Sequence, residues 1–226
     1  MSQRGEKLRQ IVLVAALVAG VSYVPTWWLS LPPGVEIAWK GAGVALLALY
    51  AGLSARNLDG WLITIALALS SLGDVVLDAV GALPSALTFL AADVVATALY
   101  LRNRRYALTP GQTLLALVLA PVLIAISYLL APDPWNASYR SIYTLALALM
   151  AGTAWTSRFP LRRTGIGSLM LVAANILLFV RLGPAPHAPG INLAIWSLYF
   201  GGQTLVCLGV TETLKELGPR PLVSAF

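Results

Sequence analysis

Long apolar stretches broken by short polar or Pro/Gly-containing turns run along the whole chain. Eight of them reach the roughly 17–25 residues needed to cross a bilayer as a helix: about 9–24, 35–54, 61–80, 83–101, 111–131, 139–157, 165–182 and 191–210. The predicted fold class is all-α, a polytopic membrane protein with a single eight-helix transmembrane bundle. Turns such as LPPG (31–34) and APDP (131–134) leave no room for a soluble domain between the spans. The first stretch has a basic start but no small-residue cleavage site before Trp27-Trp28, and reads as a retained helix.

Composition agrees with that pattern. Of 226 residues, 58% are hydrophobic and 11% charged, and the mean hydropathy is +0.80, beyond the usual range of soluble domains. The net charge of +6 is not read as a nucleic-acid surface, because no soluble segment is long enough to carry one. It is read as topology instead. With the N-terminus cytoplasmic, Arg4, Lys7, Arg9, Arg56, Arg102, Arg104, Arg105, Arg158, Arg162, Arg163, Lys215 and Arg220 share that side, leaving Lys40, Arg140 and Arg181 for the other half. This predicts an N-in, C-in arrangement. Trp27, Trp28, Trp39, Trp135 and Trp196 fall near the outer helix ends, where interfacial aromatics belong. A weak echo at an offset of about 100 residues (ALLALYAG, 45–52; ALALMAG, 146–152) suggests two four-helix repeats of the same orientation.

Ionisable groups at membrane depth cost about 2.5–3.5 kcal/mol on insertion scales and normally face the bundle interior or a wet cavity. SSLGDVVLDAVG (70–81) places Asp74 and Asp78 one turn apart on one helical face, with Asp74 roughly 9 Å below the outer end. Lys40, Tyr139, Arg140, Asn175, Arg181, Tyr199 and Gln203 also fall in the outer half, and Asp93 lies near the middle of the fourth span. A polar cavity opening toward the outer leaflet accounts for them together. Separately, each has a plainer role: Lys40, Arg140 and Arg181 as snorkelling cations, Asp78 as a hydrated interfacial acid, Asp74 and Asp93 as members of structural ion pairs, and Asn175, Tyr199 and Gln203 as interhelical hydrogen-bond clamps.

The lone Cys207 rules out an internal disulfide, and His187 in GPAPHAPG has no metal-ligand neighbour in sequence, so metal catalysis is poorly supported. No phosphate-binding glycine loop, HExxH or GxSxG motif occurs. Asn136-Ala-Ser138 forms a glycosylation sequon, relevant only in a secretory pathway.

The order of Lys40, SLGDVVLDAVG, TFLAADVV, GSLMLVAANILLFVRLG and SLYFGGQTLVCLG, from about Ala38 to Gly209, resembles the YhhN family, which includes lysoplasmalogenases. The resemblance implies eight membrane helices and cleavage of a lysophospholipid's vinyl ether bond into a fatty aldehyde and a glycerophospho-base, with no metal or organic cofactor required. On that reading Asp74 is the proton donor, with Asp78 beside it disfavouring its ionisation, and Lys40, Tyr139, Arg140, Arg181, Tyr199 and Gln203 hold the lipid. The family's second aspartate, in the seventh helix, is replaced here by Asn175. Its fourth-helix histidine is replaced by Asp93, and its Lys-Pro pair by Lys40-Gly41. A two-aspartate mechanism would then need Asp78 or Asp93 in the missing role.

Other readings of the same residues are a lipid-binding or lipid-moving protein without turnover and a small-solute transporter. A bacterial inner membrane is the expected location, and the oligomeric state is left open.

Overall fold

A computed structural model describes residues 3–131 and 133–217. It contains eight α-helices, α1 (Gln3–Thr26), α2 (Pro33–Ser54), α3 (Leu58–Ala79), α4 (Ala82–Arg102), α5 (Pro110–Leu129), α6 (Pro134–Thr156), α7 (Ile166–Arg181) and α8 (Ile191–Leu217). Seven are long and apolar enough to span a membrane, α7 together with the π-helical turn Leu161–Gly165 that leads into it. The exception is α6, whose first three turns carry Asn136, Tyr139, Arg140, Tyr143 and Thr144. Its 23 residues rise about 34 Å, and it must return the chain from the end of α5 to the start of α7, so it crosses with the rest. This is an integral membrane protein built as a helical bundle.

Local chemistry sets the helix starts. Pro33, Pro110 and Pro134 open α2, α5 and α6, where a missing N–H costs nothing. Asn57 caps α3 by accepting from the Gly60 N–H (2.9 Å), and Thr109 with Gln112 forms a reciprocal capping box at α5. Asp133 caps α6; the Asn136 backbone N–H, followed by its side chain, holds the Asp133 carboxyl below its ordinary pKa. That contribution is complete at neutral pH and fades as the pH falls through the lowered value. Gly81 joins α3 to α4 at φ +128°, a conformation costly for any side chain.

The bundle has a basic end, comprising the start of α1, the α2–α3, α4–α5 and α6–α7 connections and the end of α8; Arg220 lies outside the described residues. Its charges hold neighbouring helices and loops together. Asp59, buried at the start of α3, accepts from Arg102 (2.9 Å) and Asn103 (3.0 Å) at the end of α4. Two neighbouring loops are stitched by Arg105 N–H to Thr156 O (3.0 Å), Arg158 N–H to Asn103 O (2.8 Å) and Arg105 Nε to Ser157 O (2.7 Å). Arg163 pairs with Glu212.

Close packing joins α1, α2 and α8. A Cβ on Gly20 would lie 2.1 Å from the Phe200 ring, and one on Gly43 would lie 3.0 Å from Gly20 Cα. Trp196, expected at the lipid interface, is instead buried here, stacked on Phe200 and donating to Gly20 O (2.8 Å). The two halves run in the same direction but pack differently: α2 lies along α3, whereas the corresponding α6 and α7 touch sparingly.

Two stability tests follow. Gly20→Ala should lower the unfolding midpoint by overpacking, costing about 1–3 kcal/mol, and Phe200→Leu in the same chain should recover part of it. Asp59→Ala should cost about 1–3 kcal/mol by removing the buried acceptor that joins the start of α3 to Arg102 and Asn103. Thermal unfolding in detergent measures both.

Candidate functional site

At the end opposite the basic loops, α1, α2, α3, α4, α7 and α8 enclose a cavity of about 550 Å³, within the range of small-ligand sites. It receives Lys40 and Glu36 from α2, Asp74 and Asp78 from α3, Asn175 and Arg181 from α7, and Tyr199 and Asn192 from α8. Six of the ten sequence candidates therefore share one space: Lys40, Asp74, Asp78, Asn175, Arg181 and Tyr199.

Asp74 is 3% exposed, and its Oδ2 accepts from the Tyr199 hydroxyl at 2.8 Å. Helix spacing explains the meeting. Trp196, fixed to Gly20 O, and Tyr199 stand three residues apart on one face of α8, so the Trp196 anchor also sets the height of Tyr199. Phe89 packs edge-on against Tyr199 with ring centroids 6.0 Å apart. Tyr23 and Trp196 extend the aromatic wall upward, 4.6 Å between centroids.

The two acids do not face one another as an isolated pair. Lys40 Nζ lies 2.7 Å from Asp78 Oδ2 across α2 and α3, so the charge of Asp78 is matched by a cation. Arg181 Nη1 donates to Asn192 Oδ1 (2.9 Å) at the exposed rim. Asn175 is held at both ends of its amide: Oδ1 accepts from Tyr143 Oη (2.7 Å) and Nδ2 donates to Leu171 O (2.9 Å). An amide so placed orients neighbours but does not exchange protons.

The remaining candidates lie elsewhere. Arg140 is 2% exposed; its guanidinium donates to Leu130 O (3.3 Å) and Leu182 O (3.5 Å) and sits 5.1 Å from the Phe179 ring centroid. Those carbonyls end α5 and α7, so Arg140 joins two helix C-termini, favourable for a cation. Tyr139 and Arg140 line a side cavity of about 30 Å³ that shares Asn175 and Phe89 with the main one. Asp93 and Gln203 lie deeper, around a separate void of about 20 Å³ with Tyr100. There Asp93 Oδ2 and Tyr100 Oη are buried and have no hydrogen-bond partner among the described residues.

Sequence reasoning passed over Glu36, Tyr143 and Asn192. Tyr143 had a usable signal, standing three residues after Arg140 on the same helical face. Glu36 and Asn192 sit in the first turns of their helices, where polar residues are ordinary. Among the described residues no three His, Cys, Asp or Glu side chains converge on a point a metal would occupy.

Comparison with known proteins adds one finding. No curated protein matches this chain, and no solved structure does. The YhhN family model matches residues 35–210, from the first turn of α2 into α8, and so covers every helix that lines the cavity except α1. The chain belongs to the YhhN family.

Proposed function

We propose that this membrane protein hydrolyses the vinyl ether bond of a lysoplasmalogen-type lysophospholipid, with Asp74 as the proton donor. The observation that carries the reading is the buried Asp74–Tyr199 pair at the floor of a cavity whose rim is charged and whose walls are apolar. Tyr199 occupies Oδ2, which leaves Oδ1 to bear the transferable proton. The reaction consumes one water. Asp74 protonates the β-carbon of the enol ether, producing an oxocarbenium ion beside the new carboxylate. Water adds to that cation and returns a proton to the carboxylate, and the hemiacetal collapses to a fatty aldehyde and the free glycerol hydroxyl. An acid facing an oxocarbenium-like state is the logic of glycoside hydrolysis, and no metal or organic cofactor enters these steps.

The rim suits a zwitterionic headgroup. Arg181 and Lys40 offer charge to a phosphate, Glu36 and Asp78 to an ammonium, and Trp27 and Tyr23 present aromatic faces. Leu77, Leu178 and Ile195 give the alkenyl chain an apolar wall. Asn175 supports a second reading: with one uncommitted carboxyl at the floor, the same cavity binds the lipid without cleaving it. A bacterial inner membrane, with the cavity facing away from the cytoplasm, is the setting we propose.

Three variants test these readings with a synthetic alkenyl lysophospholipid and detergent-purified protein. Asp74→Asn keeps an acceptor for Tyr199 and should reduce aldehyde release at least about 100-fold while lipid binding persists. Tyr199→Phe should reduce it on the order of tenfold, the worth of a hydrogen bond to a charged group, and shift the pH–rate profile. Asn175→Asp retains the bond from Tyr143, adds a titrating group and should raise turnover. A folded wild type and Asn175→Asp that both bind the lipid and release no aldehyde would leave the binding reading in place.

A further inference from the structure

A second cavity, of about 130 Å³, lies at the basic end, between α1, α2, α3 and α8. Arg9 is at its base, 8% exposed, and Arg56 and Lys215 stand at its rim. Among the described residues no acidic one lines it. Arg9 Nε is buried with no hydrogen-bond partner among the described residues, and the nearest acid, Glu6, is 3.9 Å from Nη2. Glu6 is itself half-exposed and shared with Lys215, whose Nζ is 3.3 Å from the same oxygen. A buried guanidinium is normally matched by a carboxylate or satisfied by several acceptors, and here Nε has none among the described residues and the nearby carboxylate is long and shared.

The other polar groups of the wall hold bonds of their own. The Thr211 hydroxyl donates to Cys207 O (2.7 Å), the Ser54 hydroxyl to Tyr50 O (2.8 Å), and Asn57 Oδ1 is engaged in capping α3. What the cavity presents is a concave cluster of three cations where the start of α3 meets the ends of α2 and α8. The volume is below the roughly 300 Å³ of drug-sized sites, which suits a single phosphate group and excludes a nucleotide.

We propose that this cavity binds one phosphate group, with Arg9 as its buried ligand and Arg56 and Lys215 closing over it. The phosphate comes either from the headgroup of an anionic phospholipid in the adjacent leaflet or from a soluble phosphate. The site is at the far end of the bundle from Asp74, and its existence does not depend on the hydrolase reading.

The full chain in phosphatidylcholine nanodiscs would be titrated with inorganic phosphate against sodium chloride of equal ionic strength, following the unfolding midpoint. In parallel, phosphatidylglycerol would be added to the nanodiscs, and lipid retained after extraction counted by native mass spectrometry. A saturable response in the first arm identifies a soluble phosphate, and retention of one phosphatidylglycerol in the second identifies a lipid. Arg9→Gln should weaken whichever response occurs on the order of tenfold, the loss of a charge-assisted hydrogen bond, and Arg4→Gln, outside the cavity, should leave it unchanged. If Arg9→Gln fails to fold, the exposed Lys215→Gln takes its place with an expected loss of at least about threefold. No response in either arm, or equal weakening by Arg4→Gln, reduces the cluster to ordinary surface charge and overturns the proposal.

Discussion

Helices α1, α2 and α8 meet where Gly20 and Gly43 have no side chain, and the Phe200 ring fills the space that a Cβ on Gly20 would need. Without a hydrophobic drive between helices in lipid, association depends on this kind of close approach and on interhelical hydrogen bonds. Both occur here at one point, since the buried Gly20 carbonyl accepts from Trp196. The position of α8 relative to α1 is thereby fixed, and with it the height at which Tyr199 reaches across to Asp74 on α3. A contact made of two glycines and two aromatic rings thus places the buried acid's hydrogen-bond partner.

Polar chemistry is divided between the two ends of the bundle. At the basic end Asp59, Arg102, Arg105 and Arg163 lock helix termini and loops together, so the charges gathered there hold the fold. At the other end Lys40 with Asp78 and Arg181 with Asn192 border a cavity, while Arg140 is spent on the carbonyls that end α5 and α7. Among the described residues only Asp74 combines burial, a hydrogen bond that leaves one oxygen free, and a position at the cavity floor.

Much of this architecture was legible in the sequence, because span length and apolar runs are local properties. The eight helices and the basic end follow from them. Helix ends were less legible: α1 starts before Arg9, α6 begins at Pro134 and α8 extends to Leu217, since caps and amphipathic turns prolong a helix past its apolar run. In the site, depth singled out ten residues, of which Asp74, Asp78, Lys40, Asn175, Arg181 and Tyr199 share the cavity and Asp93, Tyr139, Arg140 and Gln203 do not. Pairing did not follow from depth, because it depends on how each helix is rotated about its axis. Lys40 found Asp78, Asn175 found Tyr143, and Arg140 turned toward backbone carbonyls. Trp196 has the composition of an interfacial anchor and the burial of a core residue, a distinction that only neighbouring helices decide.

In chemical terms the account turns on where a proton is delivered. Delivery to carbon as the slow step distinguishes this chemistry from simple lipid binding. The most direct measurement is the single-turnover rate of aldehyde release from a synthetic alkenyl lysophospholipid in ordinary and in deuterated water. The account predicts a slower release in deuterated water, because the transferred proton moves to carbon in the slow step. Equal rates in the two solvents would contradict proton delivery to carbon by an acid of the site, and the assignment of Asp74 would fall with it.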